Sequence, residues 1–511
     1  MRLILTLAVA ASFVGRPVAA QNPIIDQALA DPSVKVFGGR AYVYGTHDLS
    51  PSNTTWIAND WHVFSSSDLI TWIDAGVVLD DDSLAWRGVS DRDWAPDAIS
   101  FNNQYYFYFP LGDDKHAVAD AIGVAAGISP AGPFTDILGR ALVDRSTTPA
   151  RSIDPMAFED ADGSRYLIWG NGAFYIAQLN DDMKSFKTSP QELAISGAPA
   201  HEEGPFAWMH GGKYYLLYSR CGAGCADSLD YAVGNSIRGP YTYRGTIVAH
   251  GKRGNEHGSI FEFKGQWYVA YHDLSPTNYY RKTKLEFIHY TNSGDIPQVY
   301  PTDYGVGRYD GSKQIEAENY FEKSTSIAYE DCTDGGNGFD ATDITHDTWL
   351  RFQNVDFGAG ADSFKARVSA SSGASRIEIH AGSVAGTIIG TCDVPAGDQT
   401  WQTIETKLSD TIFGVNDVIL VFKGEEKELF KLNWIQFARP GLISDGGSGG
   451  GADGTMGDSR PGDTGGCVAT GCTCMLDAGS PPIEALISSL VMIVIASRRR
   501  RVVWRPGWAD G

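Results

Sequence analysis

The stretch HEEGPFAWMHGGKYYLLYS, His201 to Ser219, sets two adjacent glutamates and a Gly-Pro step before a Gly-Gly turn and a run of tyrosine and leucine. A small turn leading into an aromatic, alternating run is a hairpin signature. The same phrase recurs as FGGRAYVYG at 37–45, FNNQYYFYF at 101–109, DADGSRYLIWG at 160–170 and FKGQWYVAYH at 263–272. Successive copies lie about 50 to 65 residues apart, the range of propeller blades rather than of helical solenoids. No long helical period interrupts residues 30–300. The predicted fold class is therefore all-β, opening with a five-bladed β-propeller over 22–305.

The residue ahead of each phrase carries the chemistry. About eight to twelve positions before each tyrosine strand stands a polar group beside a small residue or a proline: Asp31 in ADPSV, Asp97 in WAPDA, Asp154 in SIDPMA, Glu203 in EEGPF and His257 in EHGSI. Equivalent places on the innermost strands of a propeller converge on its axis. Taken alone, each acid reads as a turn cap; their common phase is what turn capping does not require. Glycoside cleavage needs a proton donor for the leaving oxygen and, for inversion, a base that activates water on the opposite face. Glu203 is the expected donor, its pKa raised by burial among other acids. Asp31 is the expected base, and Asp154 the residue that orients the donor and tunes its pKa. Glu202 is one residue out of phase, so its side chain should point away from its neighbour's. Asp97 is in phase but carries no assigned step, and Asp26 and Asp48 flank the first motif as rivals to Asp31.

The formal charge of −21 over 511 residues disfavours a nucleic-acid partner, which requires clustered Lys and Arg. Thirteen tryptophans and twenty-three tyrosines suit sugar stacking and β-cores equally. MRLILTLAVAASFVGRPVAA at 1–20 has the anatomy of a secretory signal peptide, so an exported protein, secreted or at the cell surface, is expected. Seven cysteines are then free to pair, though spacing does not say how, and the Cys467, Cys472, Cys474 cluster lacks a histidine at zinc-ligand spacing. Residues 312–439, from IEAENY to LNWIQFAR, read as a β-sandwich of the jelly-roll kind. A Gly-rich flexible linker with the cysteine cluster follows at 440–482. At 483–511 an apolar run shorter than a bilayer span precedes RRRR at 498–501, and reads as a sorting or anchoring signal.

The ordered set NPIIDQALADPSV, YGTHD, WAPD, SIDPMAFED, EEGPFAW, the HGS after Glu256 and YYRKTKLEFIHYTNSGDI resembles glycoside hydrolase family 43 over residues 22–305. The resemblance implies a five-bladed propeller and an inverting mechanism, with Asp31 as general base, Asp154 as pKa modulator and Glu203 as general acid. It implies that His257 lies near a calcium or water site in the channel, that Trp94 and Phe206 line the sugar pocket, and that Arg281 contacts substrate. From the residues alone, His257 reads equally as a core histidine and Trp94 as core.

IEAENY, THDTWLRFQNVDFGAGA, GTIIGTCDVPAGDQTWQTI, VILVFKG and LNWIQF make the second domain similar to a family 6 carbohydrate-binding module. That likeness implies sugar binding through Trp401 and Asn433 and a structural calcium near Glu316 and Glu318. The second aromatic position falls on Asp343, with Phe339 and Trp349 as alternatives. The tail resembles a myxobacterial C-terminal sorting signal, implying membrane or cell-surface attachment. The expected cofactor is calcium, in the channel or the sandwich, with no organic cofactor. The expected partner is a polysaccharide or oligosaccharide: arabinoxylan or arabinan for an α-L-arabinofuranosidase, xylo-oligosaccharides for a β-xylosidase. A propeller that only binds glycans is the reading from a different class.

Overall fold

The computed structural model describes residues 22–438 except 87–90, 113–119, 199–202, 221–227, 250–255, 278 and 336–337. The leader, Glu202, the cysteines at 221, 225, 467, 472 and 474, and the linker and tail lie outside the described residues.

Each tyrosine phrase forms the second strand of a sheet. In the first sheet β1 (Ala30–Phe37), β2 (Arg40–Asp48), β3 (Ala58–Ser66) and β4 (Ile73–Asp80) pair antiparallel in chain order. Four more sheets begin at Asp97–Phe101, Met156–Glu159, Phe206–His210 and Gly258–Phe263, the last with three strands. The opening strands neighbour one another in a closed cycle, the fifth against the first. Chain segment 22–29 completes that closure: the Ile24 and Leu29 amides donate to the Thr283 and Arg281 carbonyls at 2.9 and 3.0 Å. The result is a β-propeller.

The sequence phrase explains the packing. Tyr215, Leu216, Leu217 and Tyr218 are all buried, because neighbouring sheets cover both faces of the strand. Full burial of a large apolar side chain contributes about 1.5–3 kcal/mol, and the apolar surface of strands such as this joins neighbouring sheets. Asp97 serves the same purpose with charge. Its carboxylate accepts from the Ser33 hydroxyl and, at 2.7 Å, from the Ala157 amide, and it pairs with Lys35 at 3.0 Å. It therefore ties three sheets together, which accounts for its phase without a chemical step.

Residues 309–438 form the predicted β-sandwich. One sheet is built on Trp349–Asp356, Val415–Gly424 and Ser375–Ala381, the other on Phe430–Ala438, Ala361–Ala370 and Trp401–Ile412. Alternating residues such as Phe352, Leu420, Phe364 and Phe437 meet between them. Cys392 is buried in this core, and neither it nor Cys332 is disulfide-bonded.

Candidate active site

Asp31, Asp154, Glu203 and His257 all stand at or just before the opening strand of their sheets, and all line one pocket of about 270 Å³ with Trp56, Trp94, Arg151, Asn171 and Arg281. A larger cleft of about 870 Å³, lined by residues of 286–339, contains none of the three acids. The chemistry therefore selects the smaller pocket.

Asp31 sits at a register shift between Ala30 and Ser33 and has φ of 52°, a left-handed conformation that aspartate tolerates better than most residues. A bulge of this kind re-aims a side chain. Its amide donates to His272 Nδ1 at 3.0 Å; its Oδ2 accepts from the Thr46 hydroxyl at 2.5 Å and its Oδ1 from Arg281 Nη1 at 2.9 Å. Burial acts to raise this carboxyl's pKa, but the Arg281 charge and the neighbouring imidazoles outweigh it and hold Asp31 well below the usual carboxylate range. His257 Nδ1 is 3.6 Å from the same Oδ1, and burial pushes that imidazole down to about 4 against the pull of Asp31.

Asp154 also has a positive φ, 54°, and accepts the Gly204 N–H at 3.0 Å. Burial, then repulsion from Glu203 and Asp31, pushes it well above the usual carboxylate range, against the pull of the Gly204 N–H and Arg151. Glu203 is buried, and its Oε2 accepts from Asn171 Nδ2 at 2.8 Å. Gly204 holds the two acids in relation: its φ is +67°, and a Cβ there would lie 3.0 Å from the His257 ring. Only glycine meets both demands.

The remaining predicted residues divide. Trp94 is half-buried in the pocket wall, with the Arg151 guanidinium 5.4 Å from its ring centroid. Arg281 lines the pocket but is only 2% exposed; besides Asp31 it bonds Asp48 through Nε and Nη2, both at 3.0 Å. Asp48 is thus the arginine's anchor rather than a rival base, and the Asp26 side chain is almost fully exposed. Phe206 does not line the acid pocket. It opens its strand, and its ring lies in a separate cleft with Phe158, Trp208 and Lys35, the lysine Nζ 4.9 Å away. Thr46, Arg151, Asn171 and His272 were missed; YGTHD contains Thr46 and FKGQWYVAYH contains His272, while Arg151 directly precedes SIDPMAFED, but only the fold shows that they converge.

In the sandwich, Trp401 Nε1 donates to Thr333 at 3.1 Å and Asn433 Nδ2 to Asp334 at 3.0 Å, so adjacent residues bring the predicted pair to one end. Asp343 is no aromatic platform, Phe339 is buried against Tyr329, and Trp349 belongs to the opposite sheet. Calcium takes six to eight oxygen ligands. His257 offers nitrogen beside a carboxylate already held by Arg281 and does not fit as a direct ligand. Glu318 fits better: it is buried, its Oε2 has no hydrogen-bond partner among the described residues, and burial followed by the nearby Glu316 raises its pKa.

An arabinoxylan arabinofuranohydrolase of Bacillus subtilis is 29% identical over 494 residues, covering 83% of this chain and 94% of that protein. A xylosidase/arabinosidase of Bacteroides ovatus is 31% identical over 320 residues, covering 52% of this chain and 94% of its own. The crystal structure of a family 43 arabinoxylan arabinofuranohydrolase from Bacillus subtilis, in complex with cellotetraose, matches with a TM-score of 0.50 at 29% identity, over 82% of this chain and 97% of that one. The family models for glycosyl hydrolases family 43 and for the family 6 carbohydrate binding module match residues 20–296 and 316–439. The chain belongs to glycosyl hydrolases family 43 and carries a family 6 carbohydrate-binding module behind its propeller.

Proposed function

We propose that this protein is an inverting glycosidase that removes α-L-arabinofuranosyl groups from arabinoxylan or arabinan. The observation that carries the reading is the opposite treatment of three acids in one pocket: an arginine-held Asp31, an Asp154 pushed upward, and Glu203 on Asn171. With its five sheets as blades, the propeller delivers each acid from a different blade. Thr46 and Arg281 fix both oxygens of Asp31, which takes a proton from water as that water attacks the anomeric carbon. Glu203 gives its proton to the departing glycosidic oxygen on the other side of the ring. The anomeric bond inverts, and the polysaccharide leaves with a free hydroxyl. Asp154 acts through the Gly204 amide next to Glu203, and the repulsion between the two buried acids keeps one proton on the pair.

The pocket lies below the roughly 300–1,000 Å³ of sites for drug-sized ligands, which favours a terminal sugar over an internal chain segment. The similarity to arabinoxylan arabinofuranohydrolases favours arabinose over xylose. Release of sugar from arabinoxylan, linear arabinan and xylo-oligosaccharides tests this. Arabinose is the expected product; xylose alone would make the protein a β-xylosidase, and binding without release would make it a glycan-binding propeller. We further propose calcium, where bound, at Glu316 and Glu318, export directed by residues 1–20, and surface attachment through the tail.

A further inference from the structure

A second set of chemistry-bearing side chains lies on the first sheet, outside the acid pocket. Gly45 on β2 pairs with His62 on β3, so His47, two residues on, shares a face with His62 and Asp60. Asp74 on β4 joins that face through its register with Phe64. His47 Nδ1 lies 2.7 Å from Asp60 Oδ1, and the two imidazole centroids are 4.3 Å apart. His62 Nε2 points at the same Asp60 oxygen from 3.8 Å, while its Nδ1 lies 3.3 Å from Asp74 Oδ1. Asp74 Oδ1 is itself held by the Gly76 amide at 2.7 Å.

A surface His–Asp hydrogen bond accounts for His47 and Asp60 alone. It does not account for a second imidazole whose Nδ1 faces a fixed carboxylate and whose Nε2 is aimed at the shared oxygen, too far away to hydrogen-bond. That arrangement is the one by which an outer carboxylate sets the tautomer of a metal-binding histidine. A tetrahedral ion with bonds of about 2.0–2.2 Å keeps its ligand atoms about 3.3 Å apart, between the two separations seen here. The three ligand atoms already lie within 4.8 Å of one another.

We infer that His47, Asp60 and His62 form a binding site for a divalent transition metal of the zinc class, with Asp74 as the outer carboxylate on His62. Two imidazoles and one carboxylate suit zinc, copper or nickel rather than calcium or magnesium, which prefer all-oxygen shells. Side-chain exposures of 25%, 23% and 12% leave an approach path and room for water as the remaining ligand. The ion would cross-link β2 and β3 in the sheet that also carries Asp31 and Thr46.

The test is calorimetric titration of Zn²⁺ into chelator-stripped full-length protein, repeated with His62→Asn and Asp74→Asn. One equivalent bound by the unaltered protein, lost in His62→Asn and weakened about 10- to 100-fold in Asp74→Asn, is the expected result. Asp74→Asn keeps all three ligands and decides the matter if His62→Asn fails to fold. Co²⁺ should give a tetrahedral d–d spectrum without a thiolate charge-transfer band. No uptake, uptake unchanged in every folded variant, or a Co²⁺ spectrum owed to thiolate alone would overturn the site.

Discussion

Replacing Arg281 with methionine separates holding the base from holding the substrate. Arg281 places Nη1 2.9 Å from Asp31 Oδ1 and spends its other donors on Asp48 at 3.0 Å. An opposite charge at such range lowers a carboxyl pKa by about 1–3 units, or about 1.4–4 kcal/mol at 1.36 kcal/mol per unit. Burial, the strongest influence on Asp31, acts the other way and would remain. The base must be ionised to work, so without Arg281 the acidic limb of kcat/KM against pH should move upward by about 1–3 units. Initial rates on nitrophenyl α-L-arabinofuranoside from acid to neutral pH measure it. Losing one partner of a buried pair also costs about 3–5 kcal/mol of stability, so thermal unfolding is followed alongside. Arg281→Lys, which keeps the charge without the fork, should shift the limb less. A kcat/KM that falls by one factor at every pH, with the limb unmoved in both variants, would refute the reasoning.

Glu203→Gln should lower kcat on arabinoxylan by about 10²- to 10⁴-fold and much less on substrates whose leaving group needs no proton; equal losses on both would remove Glu203 as the acid. Asn171→Ala deletes the hydrogen bond that orients the protonated acid, worth about 0.5–1.5 kcal/mol, so kcat should drop about 2- to 10-fold with KM little changed, and a change in KM alone would contradict the positioning role. Asp93 is fully buried, neither carboxylate oxygen has a hydrogen-bond partner among the described residues, and burial, then Asp81 and Asp60, pushes it up to about 9. Because its folded pKa exceeds the unfolded one, its contribution is intact at acid pH and is lost as pH rises toward 9. Urea unfolding of Asp93→Asn should show a stability advantage that grows from about pH 4 at no more than about 1.4 kcal/mol per unit; a pH-independent difference would sink this account.

The propeller was legible because one hairpin phrase repeats and a polar residue recurs at the same phase ahead of it. That phase put Asp31, Asp154, Glu203 and His257 in one pocket without any knowledge of the sheets. Sequence neighbourhood was a poorer guide. Phe206, three residues past the acid, faces another cleft because a strand changes what its residues face as it runs. Asn171 and Thr46 carry no signal of their own in the sequence: the β1–β2 register, with Ala30 opposite Thr46, brings Thr46 to Asp31, and the packing of neighbouring sheets brings Asn171 to Glu203. The His47, Asp60, His62 group was hidden for a similar reason: its members lie on two strands, and only the register places them on one face.

The central claim is that Asp31 activates water on the face opposite to the bond that Glu203 helps to break. Proton NMR of the first arabinose released from an α-linked substrate, recorded before mutarotation, tests it most directly. The β-anomer should appear first and relax to the equilibrium mixture. Initial release of the α-anomer would contradict the inverting assignment and the roles given to both acids.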